Sequence, residues 1–276
     1  MSELVSVVLT LLLVNGAAAE RRLPWTGRAV QALFLRAVEA GNPALAAELH
    51  DGEGPRPYTV SALMGRFARG APDPQERYFA RLTACRADVG RALLEAVAPG
   101  GPLAPAQTVD VDFLPFQVEA VAQVSPPWAQ MSSYQHLMSL LLPGSASPPR
   151  RLTLLWTSPT VFKSGGRHVP LPLPDLVFGS LLERWNAYAP LAFPPETRRY
   201  AEECLAVSSY HLHTRSLPLK DGGSRIGAVG DVTFTTLNYD RYWMSILHVL
   251  GRFSLFCGLG AGTAQGLGQC RLKIDD

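Results

Sequence analysis

A two-domain α+β fold, each domain following the βαββαβ ferredoxin-like plan, is predicted by three observations on this 276-residue sequence. The length suits two domains of about 120–140 residues each. Apolar residues recur with strand and helix periods in one order, strand–helix–strand–strand–helix–strand, in both halves. A stretch punctuated by proline and glycine divides the halves, so the expected layout is an N-terminal domain over 1–126, a linker over 127–149 and a C-terminal domain over 150–276.

In the first half, the apolar run over 4–14 is rich in β-branched residues and reads as a buried strand. A secretory signal is disfavoured because Glu3 stands where a positive segment belongs, and the run is too short to span a bilayer. A helix is predicted over 27–40, with Val30, Leu33, Phe34, Ala37 and Val38 on one face. Strands are predicted at 57–64 and 76–86, a second helix at 87–97 through Val89, Leu93, Ala96 and Val97, and a closing strand at 107–123. In the divider, 132–142 is helix-like between Pro126-Pro127 and Pro148-Pro149. The second half opens with a strand from Leu152 to Trp156. A helix follows Pro172 and Pro174, with Asp175 near its start and Val177, Phe178, Leu181, Leu182 and Trp185 at helical spacing. Strands are expected near 202–217 and 225–237. A last helix from Asp240 is expected to bury Trp243, Ile246, Leu247, Leu250 and Phe253, before a glycine-rich loop and a strand from Gln269 to Ile274.

Apolar residues make up 47% and charged ones 17%, which argues against disorder on the scale of a domain. Net charge is only +2, so the broad basic footprint of many nucleic-acid binders is missing. Residues 148–174 nevertheless hold Arg150, Arg151, Lys163 and Arg167 and no acid. Arginine outnumbers lysine 22 to 3, which suits phosphate oxygens but equally fits a GC-rich genome. Cys85, Cys204, Cys257 and Cys270 form no CxxC pattern and read as free thiols rather than metal ligands.

The run 258–268, Gly-Leu-Gly-Ala-Gly-Thr-Ala-Gln-Gly-Leu-Gly, lets amides converge into a concavity of the kind that holds anionic oxygens. A dinucleotide fingerprint needs a strand before the glycines and a helix after them, and here the order is reversed. A P-loop lacks its Lys-Ser/Thr. A plain connecting loop and a backbone cradle for a phosphate remain.

Three stretches, in order, carry a resemblance. They are Thr157-Ser158-Pro159-Thr160-Val161-Phe162-Lys163, followed by Pro170 to Pro174 and Ser180-Leu181-Leu182-Glu183-Arg184-Trp185-Asn186; Gly227-Ala228-Val229-Gly230-Asp231-Val232-Thr233-Phe234; and the paired GxG loop before the last strand. Over about 150–276 the chain resembles the CRISPR-associated repeat-processing endoribonucleases, the family of the sixth Cas protein. The N-terminal half is similar at Leu49-His50-Asp51 and Pro57 to Leu63.

The resemblance implies metal-independent cleavage of CRISPR repeat RNA in the precursor transcript, with no cofactor. The 2′-hydroxyl attacks the adjacent phosphate, leaving a 2′,3′-cyclic phosphate and a 5′-hydroxyl. It implies His50 as the acid–base residue and Arg56, where some members carry a lysine, as a stabiliser of the phosphorane, since arginine does not give up its proton. The tyrosine that some members use from the first helix region is missing; Phe34 and Leu35 stand there. Candidate RNA contacts are Arg28, Arg150, Lys163, Arg167, His168, Arg215, Lys220 and Arg225 with Gly258, Gly260, Gly262, Gly266 and Gly268. His211 and His213 share a strand face, as a solvated pair, an RNA contact or metal ligands; His136 and His248 read as structural. Trp128 and Tyr134 suit packing better than base stacking. Expected partners are the repeat RNA, as precursor and mature guide, and other Cas proteins of an effector complex, in the cytoplasm and off the membrane. A repeat-RNA binding module that has lost catalysis is the alternative.

Overall fold

The computed structural model describes residues 3–14, 22–23, 25–125, 127–142, 144–218 and 223–273. It divides into an N-terminal unit, Met1–Met131 with Ala264–Gly266, and a C-terminal unit, Ser132–Thr263 with Leu267–Asp276.

The N-terminal unit runs β1 (Leu4–Leu13), α1 (Gly27–Gly41), α2 (Pro43–Asp51), β2 (Tyr58–Val60), a small hairpin β3 (Phe67–Ala68) and β4 (Ala71–Pro72), β5 (Arg77–Ala84), α3 (Ala87–Val97), β6 (Thr108–Val111), β7 (Leu114–Ala122) and β8 (Gln130–Ser132). Its sheet has the order β2-β5-β1-β7-β6, with β8 also pairing β1. Without the added β6 and β8 this is the antiparallel order of a ferredoxin-like domain. β1 is central, flanked by β5 and β7, which is why Leu4, Val7, Leu9 and Leu11 are fully buried. Each such side chain contributes about 1.5–3 kcal/mol. The stripe expected on α1, Val30 to Val38, is the buried one.

Three expectations are corrected here. No element is expected between the helix at 27–40 and the strand at 57–64, yet Asn42 accepts from Leu45 N–H at 3.0 Å and Pro43 starts a nine-residue helix, α2. The strand expected over 107–123 is a hairpin, β6–β7, turning at Asp112 and Phe113, both left-handed at φ 54° and 64°. The segment 127–149 is not a free linker. Trp128 lies under the Arg81 guanidinium, whose Cζ is 4.9 Å from the ring centroid, in the N-terminal unit. From Ser132 onward the chain belongs to the C-terminal unit, where Tyr134 packs edge-on against Trp185, centroids 5.1 Å apart.

The C-terminal unit runs α4 (Tyr134–Met138), β9 (Arg151–Thr160), β10 (Phe162–Ser164), β11 (Arg167–Val169), α5 (Pro174–Tyr188), α6 (Glu196–Cys204), β12 (Leu205–Pro218), β13 (Ser224–Thr236), α7 (Arg241–Cys257) and β14 (Cys270–Lys273). Its sheet order, β12-β13-β9-β14, repeats the plan of the first unit, so the tandem ferredoxin-like architecture is present. Trp156, Phe178, Trp185, Phe234 and Phe253 form the fully buried aromatic core. Asp240 caps α7 by accepting from Trp243 N–H at 3.1 Å, but Trp243 itself is only half-buried, against expectation. The start of the strand expected near 202 is helix α6, whose narrow stripe of Thr197, Tyr200 and Ala201 has helical spacing. Ile274 lies outside the described residues. Among the described residues no helix is long and apolar enough to cross a membrane.

Gly230 marks a break in the β13–β9 register and has φ +136°, where a Cβ would collide with the His211 carbonyl. Gly230→Ala should lower stability by about 2–4 kcal/mol, read as a reduced urea midpoint.

Candidate nucleic-acid interface

In the C-terminal unit, the sequence stretches that carry the resemblance converge on the glycine-rich loop. Its first glycine, Gly258, ends α7 at positive φ (67°), its N–H donating to Ser254 O at 2.9 Å. Leu259 N–H donates to Gly268 O at 2.8 Å and closes the loop on itself. From the stretch after Thr157, Val161 O accepts from Ala261 N–H at 2.7 Å, Pro159 O from Gly268 N–H at 3.1 Å, and Ser158 Oγ from Gln269 N–H at 2.8 Å. From α5, Ser180 Oγ accepts from Gly260 N–H at 3.0 Å. One turn on, Arg184 donates through Nη1 to Ser180 Oγ at 2.6 Å and through Nη2 to the Gly260 carbonyl. Trp185 fills the core, and Asn186 holds the Phe193 backbone from both sides, at 2.9 and 2.8 Å. Gly227 lets β13 pass close to Pro159.

For most of the five glycines expected to contact RNA, this geometry does not leave the amide free for a phosphate cradle. The amides of Gly258, Gly260 and Gly268 are engaged inside the protein. Gly266 belongs to the N-terminal unit, is buried, and forms a bridge with Ser61. Gly262 is the partly exposed glycine of the run, and a Cβ there would lie 3.6 Å from Arg225 Nη1.

Arg225 joins Gly262 to a cationic hairpin. β10 and β11 turn through Gly165-Gly166, both at positive φ, and set Lys163 directly opposite His168, with Arg167 beside it, all exposed. Burial first, then the charges of Arg225 and Lys163, hold the His168 imidazole below its ordinary pKa of 6.5. Arg225 Nε is buried and finds no partner among the described residues. Arg150 lies on the Tyr239 ring at 5.0 Å, and Arg215 is exposed on β12. His211 meets Asp231 at 3.4 Å, exposed, with His213 also exposed on the same strand. Lys220 lies outside the described residues.

In the N-terminal unit, His50 is exposed in the last turn of α2 rather than in a loop. Arg56 crosses the end of that helix, donating to Leu49 O at 2.8 Å and to His50 O at 3.3 Å. The two expected catalytic residues are thus brought together by the helix's free carbonyls. Nearby, Tyr58 stacks on Phe34 at 4.5 Å and accepts from Gln31 Nε2 at 3.0 Å; burial raises its phenol pKa. Sequence reading missed Gln31 and Tyr58, although the helical period puts Gln31 on the α1 face of exposed Arg28.

The fold and these two sites define a tandem ferredoxin-like protein with a clamped glycine loop beside a cationic hairpin. The model of the CRISPR-associated endoribonuclease Cas6 family matches residues 154–270. CRISPR-associated endoribonucleases Cas6 from two strains of Mycobacterium tuberculosis are 30% identical over 125 residues, 45% of this chain; the match spans 39% of the length of those relatives. Among solved structures, a Cas6 product complex is 30% identical with a TM-score of 0.76, covering 98% of this chain and 99% of that one. A second Cas6 product complex is 26% identical with a TM-score of 0.76, covering 99% and 100%. Thermus thermophilus Cas6 is 24% identical with a TM-score of 0.71, covering 99% of each chain. The chain belongs to the Cas6 family.

Arg184→Ala should remove the donors to Ser180 Oγ and to the Gly260 carbonyl together and cost about 2–4 kcal/mol in urea denaturation. Arg184→Lys should not restore the loss, because one ammonium cannot span both acceptors as a planar guanidinium does.

Proposed function

We propose that this protein is an endoribonuclease that cuts CRISPR repeat RNA in the precursor transcript without a metal. Its family supports this reading, and one observation carries it to residues: exposed His50 sits at the end of α2, beneath an arginine tied to its own carbonyl. His50 takes the proton from the 2′-hydroxyl or gives one to the leaving 5′-oxygen, the acid–base roles an imidazole can fill. The 2′-oxygen bonds to phosphorus, the bond to the 5′-oxygen breaks, and the products carry a 2′,3′-cyclic phosphate and a 5′-hydroxyl. Arg56, permanently charged, stabilises the phosphorane; its bonds to the helix end fix its direction in advance. Lys163, Arg167, His168, Arg225 and Gly262 hold the RNA backbone, with Arg28, Arg150 and Arg215 as further phosphate contacts. The same reading has the protein in the cytoplasm, handing guide RNA to other Cas proteins.

A second reading, a repeat-binding module without catalysis, is favoured by one feature. The Arg56 guanidinium is already engaged by two carbonyls and cannot serve as an acid.

Labelled repeat RNA incubated with the protein in EDTA separates the readings. Cleavage to cyclic-phosphate ends is expected, with His50→Ala slowing it about 10²–10⁴-fold while binding persists. Binding with no cleavage, in EDTA or with Mg²⁺, supports the module; cleavage only with Mg²⁺ contradicts the metal-free route.

RNA binding should also take up a proton at His168. A phosphate beside the ring raises a pKa that burial, Arg225 and Lys163 hold down in the free protein. Affinity should therefore rise as pH falls through the ordinary histidine value and level off below the free-protein value. His168→Ala should flatten that dependence in anisotropy titrations.

A further inference from the structure

At the opposite end of β9 from the cationic hairpin, a cleft of about 760 Å³ opens in the C-terminal unit. Four cations line it: Arg150 and Arg151 at the start of β9, Arg252 on α7 and Lys273 on β14. No carboxylate is among its lining residues. Sequence reading singled out Arg150 alone as a contact; Arg252 and Lys273 lie far from it in the chain and are gathered by the fold.

Among the described residues, none of these four cations is paired with a carboxylate. Arg150 lies flat against Tyr239, an arrangement that leaves the in-plane N–H donors of a guanidinium available. Arg151 and Lys273 are exposed on the two neighbouring strands β9 and β14, where Lys273 pairs with Thr153. Arg252 Nε is buried without a partner among the described residues, a donor whose desolvation nothing yet offsets. His248 forms the wall, its Nε2 at 3.0 Å from Pro149 O. Burial, opposed by that bond and assisted by Arg252, lowers its pKa, so it adds no fifth charge near neutral pH. The linked Thr153 and Thr233 hydroxyls, 2.8 Å apart, supply neutral donors on the floor.

Four converging cations with hydroxyls and no acid fit a phosphodiester backbone better than any neutral or cationic ligand. The ten residues of β9 separate this cleft from the hairpin by about 30 Å. A single phosphate cannot serve both. We propose that this cleft is a second phosphate-binding site, which grips single-stranded RNA flanking the portion held at the hairpin. The inference rests on the RNA-binding reading above and extends it.

The test compares wild type, Arg151→Ala/Lys273→Ala and a charge-matched control, Arg66→Ala/Arg91→Ala. All four residues are exposed or partly exposed, and circular dichroism checks folding. The probe is a labelled uridylate of about thirty nucleotides, longer than the ~4–16 nucleotides a small single-strand-binding module covers. Anisotropy titrations at several salt concentrations should show the cleft variant binding about tenfold more weakly at low salt. Its log–log salt slope should be shallower by about 1.4, since each of two phosphates no longer neutralised accounts for about 0.7. The control should keep the wild-type slope. Arg252→Gln should weaken binding in the same direction. If the cleft variant matches the control in affinity and slope while wild type binds, the second site is overturned and the proposed function stands. If wild type binds neither uridylate nor repeat RNA, both fall.

Discussion

The C-terminal unit depends on a buried arginine. Arg184 ties the Ser180 hydroxyl and the Gly260 carbonyl together, and through them fixes the loop that joins the last helix to the last strand. β14 is an edge strand of four residues that, among the described residues, pairs with β9 alone. Its register is set by how the preceding loop leaves α7, and that path is fixed by bonds to Pro159, Val161 and Ser180. The stretches that carry the family resemblance are therefore parts of one clamp. The serine and arginine of α5 hold the loop, the Thr157–Phe162 stretch supplies its acceptors, and Gly227 lets the adjoining strand come close.

That clamp changes what the glycines do. A free glycine-rich loop would offer many amides to a phosphate; this one offers few, because most are engaged by the protein's own carbonyls. What the clamp provides instead is position. It sets Gly262 beside Arg225, and Arg225 beside a hairpin carrying two further cations and a histidine. In the proposed reading, the charge that meets the RNA backbone comes from these side chains rather than from the loop amides. At α2 a comparable economy holds: the carbonyls a helix leaves unsatisfied at its end orient Arg56 next to His50.

Much of the fold was legible because burial imposes periods. The stripes on α1, α3, α5 and most of α7, and the apolar run of β1, gave their elements directly. Errors fell where the signal was short or absent. Asn42-Pro43 is a helix-start signature, but α2 has only nine residues and lay hidden against a loop-like sequence. Asp112-Phe113 turns β6 into β7 with no glycine to announce it. In the candidate site, His50 and Arg56 were expected from residue type and resemblance, and the structure places Arg56 against the His50 carbonyl. The roles of Ser180 and Arg184 could not, because hydrogen-bond partners some 80 residues apart leave no mark in local sequence. Nor could the direction of the loop amides: glycine content shows that a backbone can bend sharply, not which acceptors it will meet.

Amide hydrogen exchange through 258–268 tests the central claim most directly. If the loop is clamped as described, the N–H groups of Leu259, Gly260, Ala261 and Gly268 exchange slowly in the RNA-free protein, at rates near those of the β9–β13 ladder. Exchange at those amides as fast as in an exposed turn would mean that the loop is not held from within, and the account of what the family motifs do would be wrong.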